Sequence, residues 1–194
     1  MRISPQSNRV FLYVGTIVLE WLVTGYVLFG VRSHHTSLLE VIGAKWNGAR
    51  DVFRDVGVAL AFWVAALVVL GIVSHILHVS RQNIRFLAPQ TSFELVLWIA
   101  LSITAGFCEE TLFRGYLQKQ FIAWTHSVHV GIFLSAITFG AGHLYQGAKS
   151  AVVITVFGLL FGILAQWRRS MRPGMLAHAW QDTLSGLAMK FISR

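Results

Sequence analysis

The chain has 194 residues, 55% hydrophobic and only 12% charged, with a formal charge of +8. A soluble domain carries about 25% charged residues, so this composition excludes an ordinary soluble globule and points to one compact helical domain in a membrane. The single cysteine, Cys108, excludes an internal disulfide and a thiolate-built metal site. The basic residues fall mainly between apolar runs, as at a lipid surface, so nucleic acid is not expected as a partner.

Six apolar spans follow one another. The first covers residues 10–30; its basic start is signal-like, but its length and the lack of a small-residue cleavage site make it a retained helix. Residues 32–55 form a polar connection with room for a short interfacial helix. The second span, residues 56–79, is rich in Val, Leu and Ala. Arg81, Asn83, Arg85 and Pro89 mark a loop, and Thr91 or Ser92 is placed to cap the third helix from Phe93. The purely apolar part of that helix stops at Phe107. The fourth span covers residues 127–144, and the fifth, 150–167, carries Gly158 and Gly162 at the spacing that lets two helices approach closely. Pro173 suits the first turn of a sixth helix reaching residue 192. No internal repeat is visible.

Loop charges do not orient the bundle. Arg2, Arg9, Arg81, Arg85, Lys149, Lys190 and Arg194 fall on one side, against Arg32, Lys45, Arg50, Arg54, Lys119, Arg168, Arg169 and Arg172 on the other. The two sets are balanced, so the positive-inside rule is silent.

Chemistry is expected where polar groups interrupt the spans, because a charge at membrane depth costs roughly 2.5–3.5 kcal/mol even on lenient scales. Glu110 and Arg114 lie one helical turn apart and can pair. Glu109, rotated by about 100°, is left free to act. A poorly solvated carboxylate suits a general base working on water. His143 ends the run Phe139-Gly-Ala-Gly-His143, whose small residues admit another backbone. His178 and Asp182 lie one turn apart on the last helix. Three helices thus offer inward polar groups to one internal site.

Glu109-Glu110-x-x-x-Arg114, Phe139-x-x-x-His143 and His178-x-x-x-Asp182, in that order, resemble the successive motifs of the CPBP family, the CAAX-processing and bacteriocin-processing membrane proteases also called Abi. The resemblance covers about residues 93–192 and divides the chain into an N-terminal two-helix membrane segment, 1–90, and a catalytic bundle, 91–194. It implies an all-α, polytopic bundle of about six helices with the catalytic core in the last four. It also implies hydrolysis of a peptide bond in a membrane-associated or secreted polypeptide, by a multi-pass protein of a prokaryotic plasma membrane. In such proteins Glu109 and His143 hold and activate a water, and the last motif stabilises the oxyanion. Asp182 stands where an asparagine is usual, a variation the family tolerates. An ionised Asp182 would repel an oxyanion, so its expected role is to orient His178 and keep it charged as the donor. No cofactor is required on this reading; a zinc ion on Glu109, His143 and His178 is the alternative, although no two of these share a helical turn.

The site carries a geometric condition. Glu109 lies about 24 Å along its helix from Phe93, and His143 about 24 Å from Ser127 on a helix running the other way. The two meet at one depth only if the third helix continues past Arg114 toward Phe121. Glu20, midway along the first span, is expected to pair within the bundle, with a place in the site as the alternative. His75, His78, His126 and His129 sit at span ends, where such rings are ordinary, and Cys108 is expected to pack as a small hydrophobe. Two other functions remain open: a non-hydrolytic immunity factor or scaffold, and a proton-coupled carrier, which would be expected to show inverted repeats.

Overall fold

The computed structural model describes residues 5–43, 45–80 and 86–192. Every regular element among them is helical. Arg2, Arg81, Asn83, Arg85 and Arg194 lie outside the described residues.

Helix α1 (Pro5–Ser33) is apolar around most of its circumference. Phe11, Leu19, Leu22, Tyr26 and Phe29 point outward, whereas Tyr13 and Thr24 are buried. Such a helix is stable where lipid, not water, covers its outer face. The expected interfacial helix is α2 (Leu38–Ile42), started by a capping box between Ser37 and Glu40. Its carbonyls tie it to the bundle. Lys119 Nζ donates to Glu40 O and Val41 O, Met171 N to Ile42 O, and Arg172 Nη2 to Gly43 O. Gly43 has φ of 107°, and a Cβ there would stand 2.9 Å from Ser170 Cα, so this junction requires glycine on both counts.

Helix α3 (Ala49–Ile76) is fastened to the far end of α7 (Ala148–Arg168) by the buried Asp55, which accepts from Trp46 Nε1 and Arg168 Nη2. Helix α4 (Ser92–Glu109) begins on a Thr91 capping box completed by Glu94. It does not stop at Arg114. The chain passes into a π-helical stretch (Glu110–Leu117) and then α5 (Gln118–Thr125), making one continuous 34-residue span. Glu109 is the last of α4's 18 residues and so stands near the middle of that span. The depth condition on Glu109 and His143 is met.

Helices α6 (Val128–Gly142), α7 (Ala148–Arg168) and α8 (Arg172–Ile192) complete the bundle. Helices α6 and α7 lie backbone to backbone: a Cβ on Gly140 would strike Ala151 O and Thr155, and one on Gly158 would meet Ala136. Gly106 gives α4 the same intimacy with Met175 and Ala179 of α8. Phe139, Phe157, Phe161, Ala59 and Ala177 form the buried centre of α3, α6, α7 and α8.

Among the described residues, six long helices match the six expected spans, with α4 to α5 counted as one. Four of them are long and apolar enough to cross a membrane, within Asn8–Ser33, Ala49–Ile76, Ser92–Thr125 and Ala148–Arg168. The protein is an integral, multi-pass membrane protein. Helix α6 is apolar but only 15 residues long, and α8 is interrupted by His178, Gln181, Asp182 and Lys190.

Candidate active site

The site is built around the π-helical stretch. Such i to i+5 turns are rare and recur at functional positions. Here the wider turn holds Glu110 and Arg114 side by side, Arg114 Nη1 donating to Glu110 Oε1 at 2.9 Å with both side chains 1% exposed. Arg114 also reaches Gly158 O on α7 and lies over the Phe139 ring, 4.5 Å from its centroid. A buried charge needs this degree of engagement, because an unpaired one costs several kcal/mol.

Glu110 has a second partner that sequence reasoning missed. His178 Nδ1 lies 3.0 Å from the same Glu110 Oε1. Burial among Phe139, Phe157 and Phe161, with ring centroids 5.0–6.1 Å away, fixes the His178 ring plane. Its Nε2 faces Glu109 Oε2 at 3.6 Å and Asp182 Oδ2 at 3.5 Å. The support expected from Asp182 therefore comes with better hydrogen-bond geometry from Glu110. Asp182 sits one turn along α8, with its side chain about a third exposed. Helix α8 is held in this register by Trp98 Nε1, which donates to Asp182 O at 2.7 Å.

His143 occupies the C-terminal position of α6, and its ring lies 4.8 Å from that of Phe139, whose other neighbours are Arg114 and His178. Its Nδ1 is 2.9 Å from Phe139 O. A carbonyl only accepts, so Nδ1 is the donor; in the tautomer with its hydrogen there, Nε2 is an acceptor. All the residues of the three motifs thus gather around Phe139 and His178.

Among the described residues no three His, Cys, Asp or Glu side chains form a group able to hold a metal ion. Glu109 Oε2 and His178 Nε2 lie 3.6 Å apart, with His178 Nδ1 committed to Glu110. Helix α1 also reaches the cluster. Glu20 neighbours Trp21, which stacks on Phe107 near the end of α4, and its Oε2 is buried without a hydrogen bond. A carboxylate in the middle of an apolar helix was the signal, but a helix apolar all round does not tell which face turns inward.

Residues 89–184, about half of the chain, match the Rce1-like family, described as type II CAAX prenyl endopeptidases. A curated relative, the uncharacterized protein YpbD of Bacillus subtilis (strain 168), is 27% identical over 95 residues. That alignment covers 48% of this chain and 46% of YpbD, so the chain spans less than half of that relative. No solved structure matches. Through residues 89–184, which contain all three polar motifs, the chain belongs to the Rce1-like family.

Proposed function

We propose that the chain is an intramembrane endopeptidase that hydrolyses a peptide bond through a water activated by Glu109. Residues 91–194 form the catalytic bundle on this reading, and residues 1–90 a membrane segment that packs against it. The observation that carries the reading is the chain of contacts Arg114–Glu110–His178–Glu109, which links motifs distant in sequence at 2.9, 3.0 and 3.6 Å.

Each group has a task set by its surroundings. Glu109 takes a proton from water, and Nε2 of His143 accepts the water's other hydrogen, so the lone pair is aimed at the scissile carbonyl. His178, held by Glu110, donates to the oxyanion as the tetrahedral adduct forms. Asp182 helps orient the ring from the exposed side. Arg114 keeps Glu110 in place. None of these steps calls for a cofactor.

The substrate class is a membrane-anchored or secreted polypeptide, with prenylated C-terminal peptides suggested by the family's description. A prokaryotic plasma membrane is the proposed setting, with lipid the partner on the outer faces of α1 and α3 and no role for nucleic acid. The test is cleavage of membrane-anchored peptides, including prenylated CAAX-type ones, by purified protein in liposomes. Wild type should cleave, with chelator present or absent, while Glu109→Ala and His143→Ala should not. Full activity in both variants would sink the assignment, and a folded wild type inert to the whole panel would favour a non-hydrolytic scaffold.

A further inference from the structure

Glu20 has no task in the mechanism above, yet its position in α1 is tightly determined. Trp21 stacks on Phe107 with ring centroids 5.4 Å apart. Thr24, one turn on, is buried and hydrogen-bonded with the Cys108 thiol. Two turns earlier Tyr13, fully buried, packs edge-on against Trp98, the residue that holds α8 through Asp182 O. These three contacts fix the rotation of α1 and turn the Glu20 side chain toward the stretch that ends in Glu109.

The neighbour of Glu20, Trp21, lies against Phe107, so Glu20 stands beside the last turn of α4, which ends in Glu109. Three other carboxyl groups, Glu109, Glu110 and Asp182, already lie 3.0–3.6 Å from His178. Arg114 is engaged with Glu110, and His178 is shared by Glu109, Glu110 and Asp182. Glu20 makes no ion pair among the described residues, and its buried Oε2 lacks any hydrogen-bond partner. A buried polar atom left unsatisfied within a polar cluster is a group waiting for a partner.

We propose that Glu20 is the proton donor to the leaving amine, a role that rests on the hydrolytic reading of Glu109. Water oxygen attacks the carbonyl carbon while Glu109 accepts a water proton. On collapse of the adduct the C–N bond breaks, its electron pair goes to nitrogen, and nitrogen takes the proton of Glu20. The proton on Glu109 then passes to the Glu20 carboxylate. One water is consumed, a carboxyl and an amine are released, and both glutamates regain their starting states. An amide nitrogen leaves poorly without such a donor, whereas an aryl oxide leaves unaided.

The experiment uses the full chain in liposomes with two probes, a quenched membrane-anchored peptide and the same acyl peptide as an aryl ester. Glu20→Gln should lose roughly 100-fold on the amide and stay within about twofold of wild type on the ester. Glu20→Asp should recover part of the amide rate, and Glu109→Gln should lose both activities. Equal loss on both probes in a thermally stable Glu20→Gln protein, or no loss on the amide, overturns the proposal and leaves the Glu109 reading standing. A wild type inert to both probes, or an active Glu109→Gln variant, overturns that reading and this one together. Infrared difference spectra give a check free of substrate: wild type should show the carbonyl band of a neutral carboxyl that Glu20→Gln lacks, and its absence in wild type also overturns the proposal.

Discussion

The long helix from Ser92 to Thr125 carries carboxylates in two regions, and they are treated in opposite ways. At its start Glu94 is completely enclosed and fully engaged. Its Oε2 accepts from the backbone N–H groups of Gln90 and Thr91, and its Oε1 accepts from Arg9 Nε. In the middle, Glu110 is also satisfied, but Glu109 beside it has only a 3.6 Å approach to His178 and retains 17% exposure of its side chain. A saturated acid fixes a helix end or a register. An acid left partly unsatisfied is available to react. On the function proposed above, Glu94 is a scaffold acid and Glu109 the reacting one.

That contrast can be broken experimentally, and the largest effect is expected at Glu109. Glu109→Gln should lower the cleavage rate roughly 10²–10⁴-fold, the usual weight of a general base, while thermal unfolding in detergent stays close to wild type. A large fall in stability instead would place Glu109 with Glu94 among the scaffold acids. Removing Glu110 should act on stability first. Glu110→Ala strands Arg114 in the core and should cost about 3–5 kcal/mol, read as a lowered unfolding midpoint together with loss of activity.

Glu94→Gln should cost about 1–2 kcal/mol through the weakened cap and its charge-assisted bonds. The rate per folded molecule, from active-site titration, should be unchanged; a selective loss of rate would tie the helix start to the chemistry. The smallest effect is expected at Asp182. At 3.5 Å from His178 and partly exposed, it resembles a weak surface pair, so Asp182→Asn should alter the rate by no more than about fivefold. A loss as deep as that of Glu109→Gln would make Asp182 an essential partner of His178.

Much of this organisation is legible in the sequence, for identifiable reasons. Apolar runs bounded by Arg, Gly and Pro mark the six long helices, and Thr91 with Glu94 three residues later marks the start of α4. The pairing of Glu110 with Arg114 follows from spacing alone. The π-helical stretch does not, since a switch from i+4 to i+5 bonding depends on what packs around it. The hydrogen bond between Glu110 and His178 spans 68 residues and needs the register of α8 against α4, which Trp98 and Gly186 set in three dimensions. The inward turn of Glu20 depends on aromatic contacts of Tyr13 and Trp21 that no periodicity of α1 announces.

The unequal lengths of two neighbouring helices have a consequence for the bilayer itself. The span from Ser92 to Thr125 is about 50 Å long, while α6, with its 15 residues, reaches only about 22 Å. Set in a hydrocarbon layer of about 30 Å, the first must tilt or project and the second falls short. Lipid meeting the α6 side is compressed, at a cost of fractions of a kcal/mol for each ångström of mismatch. His143 lies at the end of that short helix, so headgroups and water are drawn down toward it. On the function proposed above, a peptide would reach the site from this thinned side, and bilayer thickness should then change the rate of cleavage.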